Sequence, residues 1–217
     1  MTRNVLIAAA GPGVSGSLAR IYAAEGGRVG LLGVDEAVLA QLAADIEKAG
    51  GTPDSAVVDL TDDRATRSVV TRMAERMGRV DVAHFNPSAY REKDPLSLTP
   101  DELLADLGLG VGALLTLVQA ARPFMGPGGR VTATGSMAAD KPWFRAASLG
   151  VQKAGLRNLV VSVDNALKGD GIRAVSVTVR GMLAKDGPFS PDNVAAALRA
   201  AIDQDESAWR TEIAYEG

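Results

Sequence analysis

Cysteine is absent from this chain of 217 residues, which excludes disulfides and thiolate metal sites. Histidine occurs once, as His84, and no His/Asp/Glu cluster accompanies it, so no metal is expected. Neither sign of charge dominates. The 26 acids and 23 bases leave a net charge of −3, which gives no electrostatic reason to expect a nucleic-acid partner. Apolar runs stop short of the roughly 18 residues that a membrane span needs. The first residues lead straight into NVLIAAA, without the basic, apolar and small-residue layout of a signal peptide. These absences together lead us to expect a cytoplasmic protein with no membrane partner.

What is present is ordinary for a globular protein with a full core: 47% hydrophobic and 23% charged residues. The length suits one large domain better than two. The chain alternates between short β-branched runs and longer stretches of helical period. Val5–Ala10 reads as a strand, Gly11, Pro12 and Gly13 as a turn, and Ser15–Glu25 as a helix with Leu18, Ala19, Ile21 and Tyr22 on one side. Strands are expected next at Val29–Gly33, Ser55–Leu60, Arg79–Phe85, Gly129–Thr134, Ile172–Val179 and Trp209–Ala214. Helices are expected at Asp35–Ala49, Arg64–Met77, Pro100–Ala121, Ala146–Leu167 and Pro191–Asp203, with Thr61, Asp62 and Asp63 capping the second of these. Strands separated by helices of this length imply α/β architecture, a doubly wound parallel sheet covered on both faces. A glycine turn between the first strand and helix is the setting in which such a motif signals dinucleotide binding. Small residues let the backbone approach a pyrophosphate at the helix N-terminus.

The stretch Thr132–Lys153, reading TATGSMAADKPWFRAASLGVQK, resembles the catalytic segment of the short-chain dehydrogenase/reductase family. In that family a Ser ends a strand, and a helix carries a Tyr thirteen residues on and a Lys four beyond it. Ser136 and Lys153 occupy the outer places, and Leu149 stands where the Tyr would be. The resemblance runs from about Val5 to Tyr215. It implies one Rossmann-type domain over residues 1–217, with seven strands in the order 3-2-1-4-5-6-7 and an NAD(P) cofactor. Whether NAD, NADP or no dinucleotide is the partner stays open.

The family's opening T-G-x-x-x-G-x-G falls on Ala8 to Ser15, where the middle glycine is kept as Gly13 and an extra Gly11 precedes it. The resemblance assigns the cofactor contacts to Gly11, Gly13, Ser15, Val34, Asp59, Leu60, Asn86, Ser88, Lys153, Gly181 and Met182. Ser15 reads equally well as a helix cap. Gly33 and Val34 supply neither the acid that binds the ribose of NAD nor the Arg that pairs with the phosphate of NADP; Asp35 and Glu36 follow closely and read as capping residues of the next helix, with reach to a ribose as the alternative. Asn86, in FNPSAY, matches the second Asn of the family's N-N-A-G. The family's catalytic Asn, in the long central helix, falls on Gly110, between Gly108 and Gly112. Two accounts of these glycines stay open: close helix packing, or a local distortion of the helix.

The family's Tyr moves the proton, its Lys lowers the pKa of that Tyr and grips the ribose, and its Ser polarises the carbonyl. Here Ser136 and Lys153 remain, and Tyr90, in the loop beyond Asn86, is the candidate substitute, weighed against a plain exposed loop residue. Lys153 is itself an acid if burial lowers its pKa. Trp143 and Phe144 read either as pocket wall or as packing, and His84 as a satisfied core imidazole. The family's substrate lid is much shortened, near residues 183–190. Three functions compete: an NAD(P)-linked oxidoreductase on the carbonyl or alcohol of a small substrate, a non-redox enzyme (dehydratase, isomerase or cyclase) on the same scaffold, and a catalytically silent nucleotide-binding or scaffold protein. The first is the expected one. Resemblance also implies a homodimer or homotetramer joined through Pro100–Ala121 and Ala146–Leu167.

Overall fold

The computed structural model describes residues 2–217. The chain begins β1 (Val5–Ala8), α1 (Val14–Ala24), β2 (Arg28–Gly33), α2 (Glu36–Lys48), β3 (Thr52–Val57), α3 (Asp63–Met77) and β4 (Val82–Phe85). It continues with α4 (Pro100–Leu107), α5 (Ala113–Ala121), β5 (Arg130–Ser136), α6 (Ala147–Leu167), β6 (Arg173–Val179), α7 (Pro191–Ile202) and β7 (Glu212–Tyr215). All seven strands join one parallel sheet in the order β3-β2-β1-β4-β5-β6-β7, as the resemblance implies. The interior strands β1 and β4 are buried at every position, as expected of strands covered on both faces.

Two apolar layers follow from the alternation of side chains along the strands. On one face Leu6, Ala8, Ala83 and Phe85 pack with Met73 of α3, Leu114 and Leu117 of α5, and Leu156 and Val160 of α6. On the other, Val5, Ile7, Val175 and Val177 pack with Leu18 and Tyr22 of α1, Leu39 and Leu42 of α2, and Leu198 of α7. Every strand therefore delivers its C-terminal end to one edge of the sheet, the edge where ligands bind in such folds.

Several expected boundaries move. β3 lies at Thr52–Val57, earlier than Ser55–Leu60, because it pairs in register from Arg28↔Thr52 to Gly33↔Val57. The apolar Val58 and Leu60 that suggested a strand instead enter the core at the turn into α3. β4 begins at Val82, not Arg79, since Val80 bonds to Phe124 and Asp81 to Asn4 before the ladder starts. β7 starts at Glu212. Trp209 precedes it, flanked by the guanidinium groups of Arg130 and Arg173, each 4.9 Å from the ring centroid.

The long central helix is not continuous. Thr99 and Glu102 form a reciprocal cap at its start, but Gly108–Gly112 widen into a π turn between α4 and α5. The distortion account of the three glycines is the one observed. Gly110 alone is crowded, whereas a Cβ on Gly108 or Gly112 would meet no close neighbour. Counted through to Phe124, this helix is also apolar enough to cross a membrane by length and composition, which corrects the reading of the apolar runs. In this fold it packs against α3 and α6.

Candidate active site at the carboxyl edge of the sheet

At the carboxyl edge an open cavity of about 350 Å³ is lined by Gly13, Val14, Asn86, Ser88, Thr134, Gly135, Ser136, Leu149, Lys153, Val179, Gly181 and Leu183. Ser136 and Lys153, seventeen positions apart, share it. β5 ends at Ser136, whose Oγ accepts from the Ala138 N–H at 3.2 Å and so caps the 3-10 turn Met137–Ala139. That bond uses an acceptor site and leaves the hydroxyl proton free to donate.

Lys153 projects from α6 and is 4% exposed. Its Nζ donates to the carbonyl oxygens of Thr134 at 3.1 Å and Pro87 at 3.2 Å. Two of three N–H groups are thus spent, and no carboxylate pairs with it among the described residues. Burial without a counter-charge pushes its pKa down from 10.5 to about 8. Leu149, one turn before it, adds an apolar wall to the cavity.

His84 lies in β4 behind this group. Burial drives its pKa down from 6.5 to about 3, and the charge on Lys153 adds to the effect. Its Nε2 is 3.4 Å from Thr134 Oγ1, which itself donates to Asn86 Oδ1 at 2.8 Å. The expectation of a satisfied imidazole holds for one nitrogen only, since Nδ1 has no partner among the described residues. His84 is neutral and cannot reach the cavity as a base.

The glycine turn carries larger residues, Ala9 and Ser15, at two places where the resemblance puts glycine. Ala9 takes the left-handed conformation, φ 58, among the described residues the one non-glycine to do so. Its carbonyl accepts from Ser15 Oγ at 3.3 Å and Asn86 Nδ2 at 3.4 Å. Ser15 also accepts from the Gly11 N–H at 3.0 Å. Gly13, not Ser15, is the N-cap of α1. Ser15 is therefore a brace of the turn, buried and outside the cavity wall. A Cβ at Gly11 or Gly13 would meet nothing within 4 Å, so space lies open above the turn. That open cradle, next to the first N–H groups of α1, fits a diphosphate.

Farther along the edge, Val34 is 73% exposed at the end of β2, and Asp35 caps α2 by accepting from Val38 N–H at 3.0 Å. Asp59 is exposed; Thr61 occupies one of its carboxylate oxygens, and the hydrogen bonds from Thr61 hold its pKa below the usual carboxylate value. The other oxygen has no partner among the described residues. Leu60 is buried in the core. These surfaces can hold an adenosine; Leu60 can only support it from beneath.

Other expected residues stand apart. Tyr90 is 62% exposed and does not line the cavity, nor do Trp143 and Phe144. Met182 is 87% exposed, and the neighbouring Leu183 lines the cavity instead. Gly181 does reach it, and its missing side chain has a packing reason: a Cβ would strike the Phe189 ring at 2.3 Å. Sequence reasoning missed Val14, Thr134, Gly135, Val179 and Leu183; Thr134, Gly135 and Val179 stand at the ends of β5 and β6, a usable signal, whereas Leu183 lies in the loop after β6. It also missed Gln152, next to Lys153, which is fully buried and hydrogen-bonded to Ala89.

Comparison with known proteins agrees with this fold. A family model described as "Enoyl-(Acyl carrier protein) reductase" matches residues 8–214. The chain belongs to the short-chain dehydrogenase/reductase family of oxidoreductases. Among its relatives, a 1-cyclohexenylcarbonyl-CoA reductase of Streptomyces collinus is 29% identical over 174 residues, covering 79% of this chain and 62% of that protein. A short-chain dehydrogenase from Burkholderia cenocepacia, solved with NADP, superposes with a TM-score of 0.88 at 25% identity, covering 99% of this chain and 96% of that one. An NADH-dependent reductase of alginate metabolism gives 0.87 at 20% identity, with 98% and 94% covered.

Proposed function

We propose that this protein is an NAD(P)-linked reductase whose reacting oxygen is held between Ser136 and Lys153. One observation carries the reading. The two groups share a cavity, and each keeps one donor unspent: the Ser136 hydroxyl proton and the third N–H of Lys153. Paired donors in a partly buried site stabilise negative charge as it develops on an oxygen. The chemistry that a bound nicotinamide dinucleotide supplies is a hydride. Gly11, Gly13, Val34, Asp59, Asn86 and Lys153 would hold it.

Reduction of a carbonyl also needs a proton on oxygen, and Lys153 is the group able to give it. With a pKa of about 8 it is a far better acid than an ordinary lysine, and near the operating pH such a donor is effective. Ser136 orients the oxygen and shares its charge. Leu149 packs beside the substrate and takes no part in proton transfer.

A second reading is favoured by Leu149 together with the names of the relatives. When a double bond conjugated to a thioester is reduced, hydride adds at the far carbon and the charge moves to the thioester oxygen. A proton from water entering the open cavity would complete the product at the near carbon, so no phenol would be needed at position 149. The shortened segment at residues 183–190, mostly exposed, leaves room for a bulky carrier outside the cavity.

The acids Asp35 and Glu36 after β2, with no base between Gly33 and Glu47, oppose a 2′-phosphate and favour NADH. The same reading has the protein working in the cytoplasm as a homodimer or homotetramer. The helices that carry Leu104, Leu115 and Val151, all exposed, would join the subunits. The test is to incubate the protein with NADH or NADPH and either a small ketone or an α,β-unsaturated CoA thioester, and to identify products by mass. An alcohol supports the first reading and a saturated thioester the second; no substrate-dependent oxidation of either dinucleotide with either class contradicts both.

A further inference from the structure

The central helix lacks the amide that the family places at position 110, yet the space is not empty. A Cβ built on Gly110 would lie 2.2 Å from Gln152 Oε1 and 2.9 Å from Gln152 Cδ. The Gln152 side chain, reaching in from α6, occupies that volume and is 0% exposed. Both ends of its amide are used on one residue. Ala89 N–H donates to Oε1 at 3.0 Å, and Nε2 donates to the Ala89 carbonyl at 3.0 Å. Such a two-point clamp on backbone, buried away from water, fixes the loop after β4.

The clamped loop matters because of what lies two residues earlier. The Pro87 carbonyl is one of the two acceptors that seat the Lys153 ammonium. Asn86 and Ser88, on either side, line the cavity. Gln152 and Lys153 are adjacent in sequence, so the two side chains grip the same loop from neighbouring points of one helix. The π turn at Gly108–Gly112 and the bare Cα of Gly110 give the clamp its room.

We propose that Gln152 is the positioning residue of this active site, supplying from α6 the loop-holding amide that Gly110 cannot, and thereby setting where Lys153 stands. The proposal rests on the reading that Lys153 serves the cavity, but its geometry can be tested without any reaction. The titratable group facing Lys153 from the neighbouring elements is His84 of β4, neutral above about pH 3, so a titration near pH 8 reports the lysine and its seat.

The experiment uses protein with isotope-labelled lysine and neither substrate nor cofactor. The Lys153 side-chain titration and the hydrogen exchange of the Ala89 amide are followed by NMR. In Gln152→Met, which keeps the volume and loses the hydrogen bonds, the midpoint is expected to rise by about one pH unit as water enters beside the ammonium. Ala89 exchange should then quicken by about tenfold or more. Returning the amide to the central helix, in the double variant Gly110→Asn with Gln152→Ala, is expected to restore both. An unchanged midpoint in Gln152→Met overturns the proposal, because a residue that only fills space would leave the lysine where it was. If that variant does not fold, the wild-type protein decides: strong protection of the Ala89 amide supports the clamp, and exchange at the rate of an open loop overturns it. A failure to reduce any substrate would count against the proposed reaction and leave these two readouts intact.

Discussion

At Ala9 the backbone sits at φ 58, a conformation that costs a residue with a Cβ roughly 1 kcal/mol. Its carbonyl is held there by Ser15 and Asn86, which shapes the turn above which the diphosphate would lie. Ala9→Gly removes the strain and keeps the turn; we expect a gain of up to about 1 kcal/mol in urea denaturation. Lys153 shows the opposite trade. Its pKa is about 8 in the fold against 10.5 when exposed. Below pH 8 the charged form is therefore buried at a cost, and between pH 8 and 10.5 that cost fades as the folded protein releases its proton first. Lys153→Met should raise stability at neutral pH, by up to ~3 kcal/mol, and lower kcat by about a hundredfold or more. For carbonyl reduction, kcat should fall as pH rises through about 8, since the protonated lysine is the active form. Leu149→Tyr sets a phenol beside that lysine, and carbonyl reduction by this variant should exceed that of the parent.

Among the elements, the segment between β4 and α4 is fastened at a second point. Arg91 pairs with Asp106 through bonds of 2.9 and 3.0 Å, and Ser148 donates to the same carboxylate at 2.7 Å. The Arg91 guanidinium, and then Ser148, hold the Asp106 pKa below the usual carboxylate range. Asp106→Ala leaves Arg91 and buried Ser148 without their acceptor, and a loss of about 2–3 kcal/mol in chemical denaturation is expected. None of this network was legible in the sequence, nor was the Gln152 clamp, which joins residues 63 positions apart. What was legible was local. β-branched runs, turn glycines and helical period marked the order of the elements, and Ser136 and Lys153 marked the site. Boundaries slipped where tertiary packing overruled local pattern. Val58 and Leu60 look like strand but serve the core, and Gly108–Gly112 look like weak helix but form the π turn that accommodates Gln152. Tyr90 is the reverse case: a suitable residue type near the right edge that stands exposed and outside the cavity lining, as the plain loop residue it was weighed against.

For the molecule as a whole, acid is a sensitive variable because its one histidine is buried neutral. Once unfolded, His84 takes up a proton below about pH 6.5, whereas in the fold it resists until about pH 3. The unfolded state thus binds more protons in that window, and stability falls as pH falls, by up to about 1.4 kcal/mol per pH unit. Carboxylates add to the slope only at lower pH, so denaturation followed from pH 6.5 to 5 isolates His84, and His84→Phe should flatten it. The subunit contact proposed above predicts that Leu115→Glu shifts the protein to monomer in size-exclusion chromatography. Underlying the whole account is the claim that the hollow at the sheet edge accepts a nicotinamide dinucleotide gripped by Lys153. Titrating the protein into NADH and NADPH and following nucleotide fluorescence tests it most directly. The account predicts a saturable change with at least one nucleotide, weakened about tenfold or more in Lys153→Met; fluorescence that does not change with either nucleotide, or that saturates equally in the variant, would contradict it.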